Sequence, residues 1–226
     1  MEYNLITVNA GHSAKAPGAG ANGYKEHVYA RMIKDKVIAR FKSVGVKTVD
    51  TTSNASTPSA VLAEQAKKCN AQPKGGRLDV SIHLNSGGGT GCEVLYYSEK
   101  ALAAKVSDAI ADVTGYKNRG AKERKELYFL RNTSAPAILI EVCFIDSKND
   151  MKILNAKMND IANAIVKAIT GKSVHESKPA PKPPKKDDNK DDLYKVQTGA
   201  FKDKGNAERL AAELKKRGVS TYIVKE

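Results

Sequence analysis

Two of the four histidines in this chain, His12 and His83, and two of its glutamates, Glu26 and Glu141, stand where side chains can do chemistry. His12 lies just past a short apolar run and Glu26 opens a helical pattern. His83 comes near the end of a strand pattern, and Glu141 closes the run AILIE. Two imidazoles and one carboxylate match the three protein ligands of a catalytic zinc ion, which leaves its fourth position to water. A further carboxylate beside such an ion serves as the general base. Each residue also has a plainer reading. A strand histidine such as His83 is more often a satisfied core residue, and Glu26 is a favourable charge at a helix N-terminus. Glu141 also reads as the buried half of an ion pair with Arg131. His27 competes with Glu26, but a helix turns about 100° per residue, so the two neighbours do not both face one ion easily. His175 falls in a linker and reads as incidental.

The elements that must position these residues follow from periodicity. Leu5 to Val8 is a short buried strand that runs into the Gly- and Ala-rich loop NAGHSAKAPGAGANGYKEH. Val28, Met32, Val37, Ile38, Phe41 and Val44 recur at mostly helical spacing from Glu26 onward, and Gly45 is placed to end that helix. Lys47 to Thr51 reads as a second strand. Thr57 and Pro58 cap and open a helix that reaches about Cys69. Leu78 to Leu84 (LDVSIHL) reads as a core strand, and CEVLYYS as an alternating one. A helix over Glu99 to Val113, strands ELYFL and AILIEVCF, and an amphipathic helix over Met158 to Ile169 complete the pattern. Strands alternating with helices imply an α/β fold whose central sheet, of about six mostly parallel strands, is flanked by helices. Ligands in such folds bind beyond the strand ends, a rim at which all four candidate residues can converge.

The sequence has 226 residues, 41% hydrophobic and 28% charged, enough for one well-buried domain and a small appendage. Lys172 to Asp192, KSVHESKPAPKPPKKDDNKDD, loses all apolar periodicity and reads as a solvated, semi-rigid linker. The expected organisation is therefore a domain over 1–171, a linker over 172–192 and a module over 193–226. Cys69, Cys92 and Cys143 are odd in number and form no CxxC pair, which argues against a disulfide framework or a thiolate metal site. A net charge of +13 calls for an anionic partner, with nucleic acid, anionic lipid and wall polymers all eligible. Aromatics make up only 6%, with no Trp, so the interleaved platform of single-strand binders is missing and no nucleic acid is expected as a partner. No stretch approaches the roughly 20 apolar residues of a membrane span.

Taken in order, NAGH, PGAGANGYKE, SIHLN, GTGCEVLYY and APAILIEVCFIDSKND resemble the zinc-dependent N-acetylmuramoyl-L-alanine amidases of the type 3 class, over roughly Asn4 to Gly171. The resemblance implies hydrolysis of the amide between N-acetylmuramic acid and L-alanine in bacterial peptidoglycan, with lysis of the wall. It implies one Zn2+ per catalytic domain, held by His12, Glu26 and His83, with Glu141 catalytic. Three positions depart from the family pattern: Asn9 where Asp is usual, Ser13 where Gly follows the histidine, and Cys143 where Gly precedes the Phe. Asn85, on the same side of its strand as His83, is a candidate for contact with substrate or with a ligand. In YKNRGAKERKE, Arg119, Arg124 or Lys125 could hold stem-peptide carboxylates, although solvated surface charge is the preferred reading there.

The C-terminal YKVQTGAFKDKGNAERLAAELKKRGVSTYIVKE reads as a small βαβ module with Ala207, Leu210, Ala211 and Leu214 on one helix face. It resembles one half of a SPOR peptidoglycan-binding repeat. A unit this small does not bury an adequate core alone, so a homodimer through this module is the expectation. The start MEYN lacks the features of a secretory signal. The expectation is synthesis in the cytoplasm and action on the wall after release by holin or cell lysis, as in endolysins and autolysins. Two other readings compete: a zinc peptidase cutting within the stem, and a non-catalytic peptidoglycan-binding protein.

Overall fold

The computed structural model describes residues 3–174, 203–216, 219 and 221–223. The chain forms two compact units, Met1–Glu176 and Ser177–Glu226. In the first, the elements run β1 (Leu5–Ala10), β2 (Gly20–Ala21), β3 (Tyr24–Lys25), α1 (Glu26–Ser43), β4 (Lys47–Asp50), α2 (Pro58–Asn70) and β5 (Arg77–Asn85). They continue as β6 (Cys92–Tyr96), α3 (Lys100–Thr114), β7 (Asn118–Glu123), α4 (Tyr128–Asn132), β8 (Ala137–Phe144) and α5 (Lys148–Thr170). The six-stranded sheet has the order β4-β1-β5-β8-β6-β7. Strands β4, β1, β5 and β8 are parallel. Strand β6 opposes β8, and β7 lies parallel to β6. This is the mostly parallel α/β sheet expected from the sequence.

Period-two alternation sorts the strand residues into two layers. Ile6, Val8 and Ala10 of β1, Leu78, Val80, Ile82 and Leu84 of β5, and Ile138, Ile140 and Val142 of β8 enter the main core with residues of α1, α3 and α5. The opposite face has a smaller core in which Cys69 of α2 and Phe129 and Leu130 of α4 meet Leu95, Ala137 and Leu139. On that second face β5 presents Arg77, Asp79, Ser81, His83 and Asn85, a polar stripe along the middle of the sheet.

Local signals account for the element ends. Thr57 accepts a hydrogen bond from the Ala60 N–H, and Pro58 opens α2. Gly45, at φ 76°, follows the end of α1 in the left-handed conformation that stops a helix. Three expectations need correction. ELYFL is not a strand: Tyr128–Asn132 is the short α4, which turns Phe129 and Leu130 into the second core. The strand is instead NRGAKE, β7, an edge strand whose largely exposed side chains show no apolar alternation because backbone pairing to β6 holds it. Helix α5 begins at Lys148, ten residues before Met158, with the Ser147 side chain accepting from the Asp150 N–H. Its pattern is interrupted at Lys157, where φ −119° and ψ 17° are not helical.

The second unit contains α6 (Lys204–Lys216). Ala207, Leu210, Ala211 and Leu214 are its half-buried face, and Glu208, Arg209 and Glu213 are exposed. The Val219 N–H bonds the Leu214 carbonyl at 3.0 Å. The expected strand YKVQTGAF, His175 and the linker from residue 175 on lie outside the described residues, as does most of STYIVKE, of which the described Thr221, Tyr222 and Ile223 are not in a strand. Among the described residues, no helix is long and apolar enough to cross a membrane.

Candidate metal centre

The loop after β1 begins where the Gly11 N–H bonds the Ile82 carbonyl at 2.8 Å, extending the sheet by one residue. His12 follows with φ 66°, a left-handed conformation uncommon for a residue with a side chain. Arg31 holds that loop, donating to the His12 carbonyl at 3.4 Å and to the Ser53 carbonyl at 2.9 Å. Ser13 Oγ donates to the Ala55 carbonyl at 2.6 Å and accepts from the Ala16 N–H at 3.0 Å. The chain then makes the β2–β3 hairpin, whose Asn22-Gly23 corner has positive φ at both residues, as a two-residue turn of this hand requires. The hairpin delivers Glu26 as the first residue of α1. There the Glu26 N–H bonds the Ala19 carbonyl at 2.9 Å, and the Ala19 N–H bonds Glu26 Oε2, also at 2.9 Å.

The Glu26 carboxylate stands between the two imidazoles. Its Oε2 is 3.3 Å from His12 Nε2, and its Oε1 is 3.1 Å from His83 Nδ1. The Leu84 N–H donates to Oε1 at 3.1 Å. The rings of His12 and His83 meet edge to face at 5.1 Å. One donor atom from each of the three residues lies within 4.8 Å of the others. Burial disfavours charge on Glu26, but the bonds from His12 and His83 and their charge outweigh it and hold the carboxyl well below its usual range. For His83, burial works downward, and the Glu26 bond and the charges of Glu141 and Glu26 raise its pKa.

Two glycines are fitted to this cluster. A Cβ on Gly11 would sit 2.2 Å from the His83 ring. A Cβ on Gly18 would sit 2.5 Å from both Glu26 Oε2 and the His12 ring. The motifs contain both glycines without giving them a role; for Gly11 its place beside His12 was the available signal, and for Gly18 there was none beyond the glycine-rich loop.

Glu141 is the register partner of His83 on β8. Its Oε2 is buried and has no hydrogen-bond partner. The proposed pairing with Arg131 is not among the ion pairs of the described residues. Burial, opposed by the charge of His83 and reinforced by those of Glu26 and Glu93, drives the Glu141 pKa up to about 7. Glu93, which sequence reading passed over, lies directly across from Glu141 on β6 and is itself buried. Asn85 Nδ2 donates to Glu93 Oε1 at 3.0 Å, so Asn85 belongs to this rim.

The three departures from the family pattern resolve differently. Asn9 Oδ1 accepts from Ser81 Oγ at 2.7 Å, and its Nδ2 is a buried donor without a partner. Ser13 ties its loop to Ala55. Cys143 is buried against Met151 Sδ at 4.0 Å, and burial pushes its thiol far above the usual range. His27 Nδ1 is buried without a partner and is not in the cluster.

A sheet rim where imidazoles and carboxylates converge, one carboxyl left unpartnered, has the make-up of a hydrolase site. The sequence model for N-acetylmuramoyl-L-alanine amidase matches residues 6–171, and that of the SPOR domain matches residues 162–225. The chain is 28% identical to the N-acetylmuramoyl-L-alanine amidase CwlM of Bacillus licheniformis, over 97% of this chain and 84% of that protein. It is 33% identical to the endolysin of Bacillus phage SPP1, over 73% of this chain and 64% of that protein. Among solved structures, the catalytic domain of CD27L endolysin, which targets Clostridia Difficile, superposes with a TM-score of 0.69 at 29% identity. That match covers 76% of this chain and all of the other. The chain belongs to the N-acetylmuramoyl-L-alanine amidase family, enzymes that hydrolyse the peptidoglycan amide.

Proposed function

We propose that this enzyme cuts the bond between N-acetylmuramic acid and L-alanine with a zinc ion held by His12, Glu26 and His83, and with Glu141 moving the proton. The observation that carries the reading is Glu141 Oε2, a buried oxygen without a partner beside a cluster of three donors. A buried polar atom left unpaired is costly, and a cation with its water is what such a site lacks. The donor set suits zinc: two imidazole nitrogens and a carboxylate, with His12 and Glu26 donors 3.3 Å apart, close to the roughly 3.3 Å expected around a tetrahedral ion with bonds of ~2.0–2.1 Å. A cation there would replace the direct contact between Glu26 Oε1 and His83 Nδ1.

When bound, zinc supplies Lewis acidity toward the scissile carbonyl and lowers the pKa of the attacking water toward about 7. The remaining chemistry belongs to the chain. Glu141 Oε2 removes the water proton and passes it to the departing amine nitrogen, a task suited to a carboxyl whose pKa burial has brought near neutrality. Gly11 and Gly18 let the imidazoles and Glu26 close on one another. The domain plan belongs to the same proposal: catalysis over 1–171, a linker over 172–192, and wall binding or pairing with a second copy over 193–226. The SPOR match and the amphipathic face of α6 support the last assignment.

Digestion of purified walls with and without chelator, followed by mass analysis of the new ends, tests the reading. Free lactyl carboxylates paired with L-alanine amines, and their loss with chelator, are expected. Ends within the stem peptide would establish a peptidase instead, and no new ends a binding protein. Sedimentation of the whole chain tests the pairing, and a monomer refutes it.

A further inference from the structure

We propose that Arg119 binds a carboxylate of the stem peptide on the leaving-amine side of the scissile bond, and so fixes which way the substrate lies across the sheet. The inference rests on the amidase site described above and names the part of the substrate that the far end of that site recognises. His83 on β5, Glu141 on β8 and Glu93 on β6 are register partners and form one row across the rim. Arg119 on the edge strand β7 ends the row, its Nε donating to Glu93 Oε2 at 2.7 Å. Its guanidinium lies over the Phe144 ring at 5.0 Å. Glu93 is anchored in turn by Asn85.

The three cations that could hold a carboxylate differ in how they are held. Arg124 Nε is 3.8 Å from Glu126, and Lys125 Nζ 3.2 Å from Glu123, all four side chains more than half exposed. Lys125 Nζ also lies over the Tyr97 ring at 5.7 Å, so what sets Arg119 apart is its buried carboxylate partner, with the Phe144 face added, its side chain 33% exposed. Only Nε is engaged with Glu93, and the two terminal nitrogens have no hydrogen-bond partner among the described residues. A planar fork held through one nitrogen and open at the others is suited to a second carboxylate, which it takes through two parallel bonds.

Distance and charge select the substrate group. Strands lie ~4.8 Å apart, so Glu93 stands about 10 Å from His83 across the row. An extended residue spans at most about 3.5 Å, so about three stem residues are needed to reach from a scissile amide at His83 to Glu93 and the Arg119 fork beside it. The glycan side of the bond is uncharged at that reach, whereas the stem carries carboxylates. The peptide therefore runs toward β7 and the glycan toward β1 and β4.

Replacing Arg119 by Met keeps the side chain's length and contact with Phe144 and removes the fork. Turnover is measured on two muramoyl peptides, one with free stem carboxylates and one with those carboxylates amidated, alongside the metal content of each protein. The expected result is a KM raised about tenfold on the free acid, the size of one partly solvated charge-assisted contact. Metal content, kcat and the amidated substrate stay as in the unmodified enzyme, and Arg119→Lys recovers part of the loss. An equal rise on both substrates would show that Arg119 only balances Glu93, and no rise on either would show that it does not touch substrate. Each overturns the proposal. Failure of the unmodified enzyme to release amine from either peptide is a separate result, which overturns the amidase site and this inference with it.

Discussion

Strand β5 carries charged or ionisable side chains at both ends of one polar stripe, and the two ends are finished differently. At the start, Asp79 Oδ1 accepts from Thr7 Oγ1 at 2.7 Å and Oδ2 from Arg77 Nη2 at 3.2 Å. Arg77 Nε also lies 2.9 Å from Asp79 Oδ1, a charge contact off the hydrogen-bond direction, and its terminal nitrogens donate to Gln72, Asn70 and Ser134. Both side chains are fully enclosed. At the far end, His83 touches Glu26, but its neighbour Glu141 has a buried oxygen with nothing to bond. One face of the sheet thus holds a closed network on β5 and an open group on the neighbouring β8. The Asp79 carboxylate has its partners in the chain, whereas Glu141 Oε2 has none among the described residues, a difference that accords with a structural role for the first and the proposed proton transfer for the second.

Substitutions at the two ends should therefore fail in different ways. The largest effect is expected from Glu141→Gln: turnover on walls falls about 10³-fold while zinc content is kept, and the metal-free protein melts no lower than the parent. A variant that keeps full activity would sink the mechanism. Next comes Asp79→Ala, which leaves Arg77 buried and unpaired. Chemical denaturation should show a loss of about 3–5 kcal/mol, with zinc affinity and specific activity unchanged. Closed and open ends would lose their distinction if this variant instead lost metal.

A smaller effect is expected at Gly11. A methyl group there meets the His83 ring, so Gly11→Ala should weaken zinc by about 10- to 100-fold, as misplacing a ligand's support does, and a competition titration with a coloured chelator reads it. The smallest effect is in pH. Because the folded-state pKa of Glu141 is raised to about 7, the native chain keeps a proton that the unfolded chain, with a carboxyl near 4.3, has released. Stability of the metal-free protein contributed by this group is thus lost as pH rises from about 4.3 to 7, and Glu141→Gln should flatten that slope. In the active enzyme the base form is needed, so kcat/KM should fall on the acid side, with its limb between those two values once a cation draws the carboxyl down.

Much of the candidate cluster was legible because its side chains sit at or near element boundaries that the sequence marks. His12 lies just past β1, Glu26 starts α1, and His83 and Glu141 sit in β5 and β8, whose apolar character is strong enough to show where each ionisable residue interrupts it. Sequence order also gave the main sheet, since β1, β5 and β8 bury nearly every side chain. What pattern alone did not give depends on contacts distant in sequence. β7 has no apolar face because its place is fixed by β6. The first turns of α5 look polar because Lys148, Asn149 and Lys152 face outward while Asp150 reaches back to the Gly91 and Phe144 N–H groups. Glu93 was passed over because a charge inside CEVLY gains meaning only when β6 is turned antiparallel beside Glu141.

The three cysteines carry a further consequence. Cys69, Cys92 and Cys143 are free and buried, and burial pushes the Cys69 and Cys92 thiols up to about 11. Oxidants and alkylating agents attack the thiolate form, which these side chains scarcely populate at neutral pH. No cross-link has to form for the first unit to fold, and none has to be broken. Activity should therefore persist after iodoacetamide under native conditions and be the same with and without a thiol reductant.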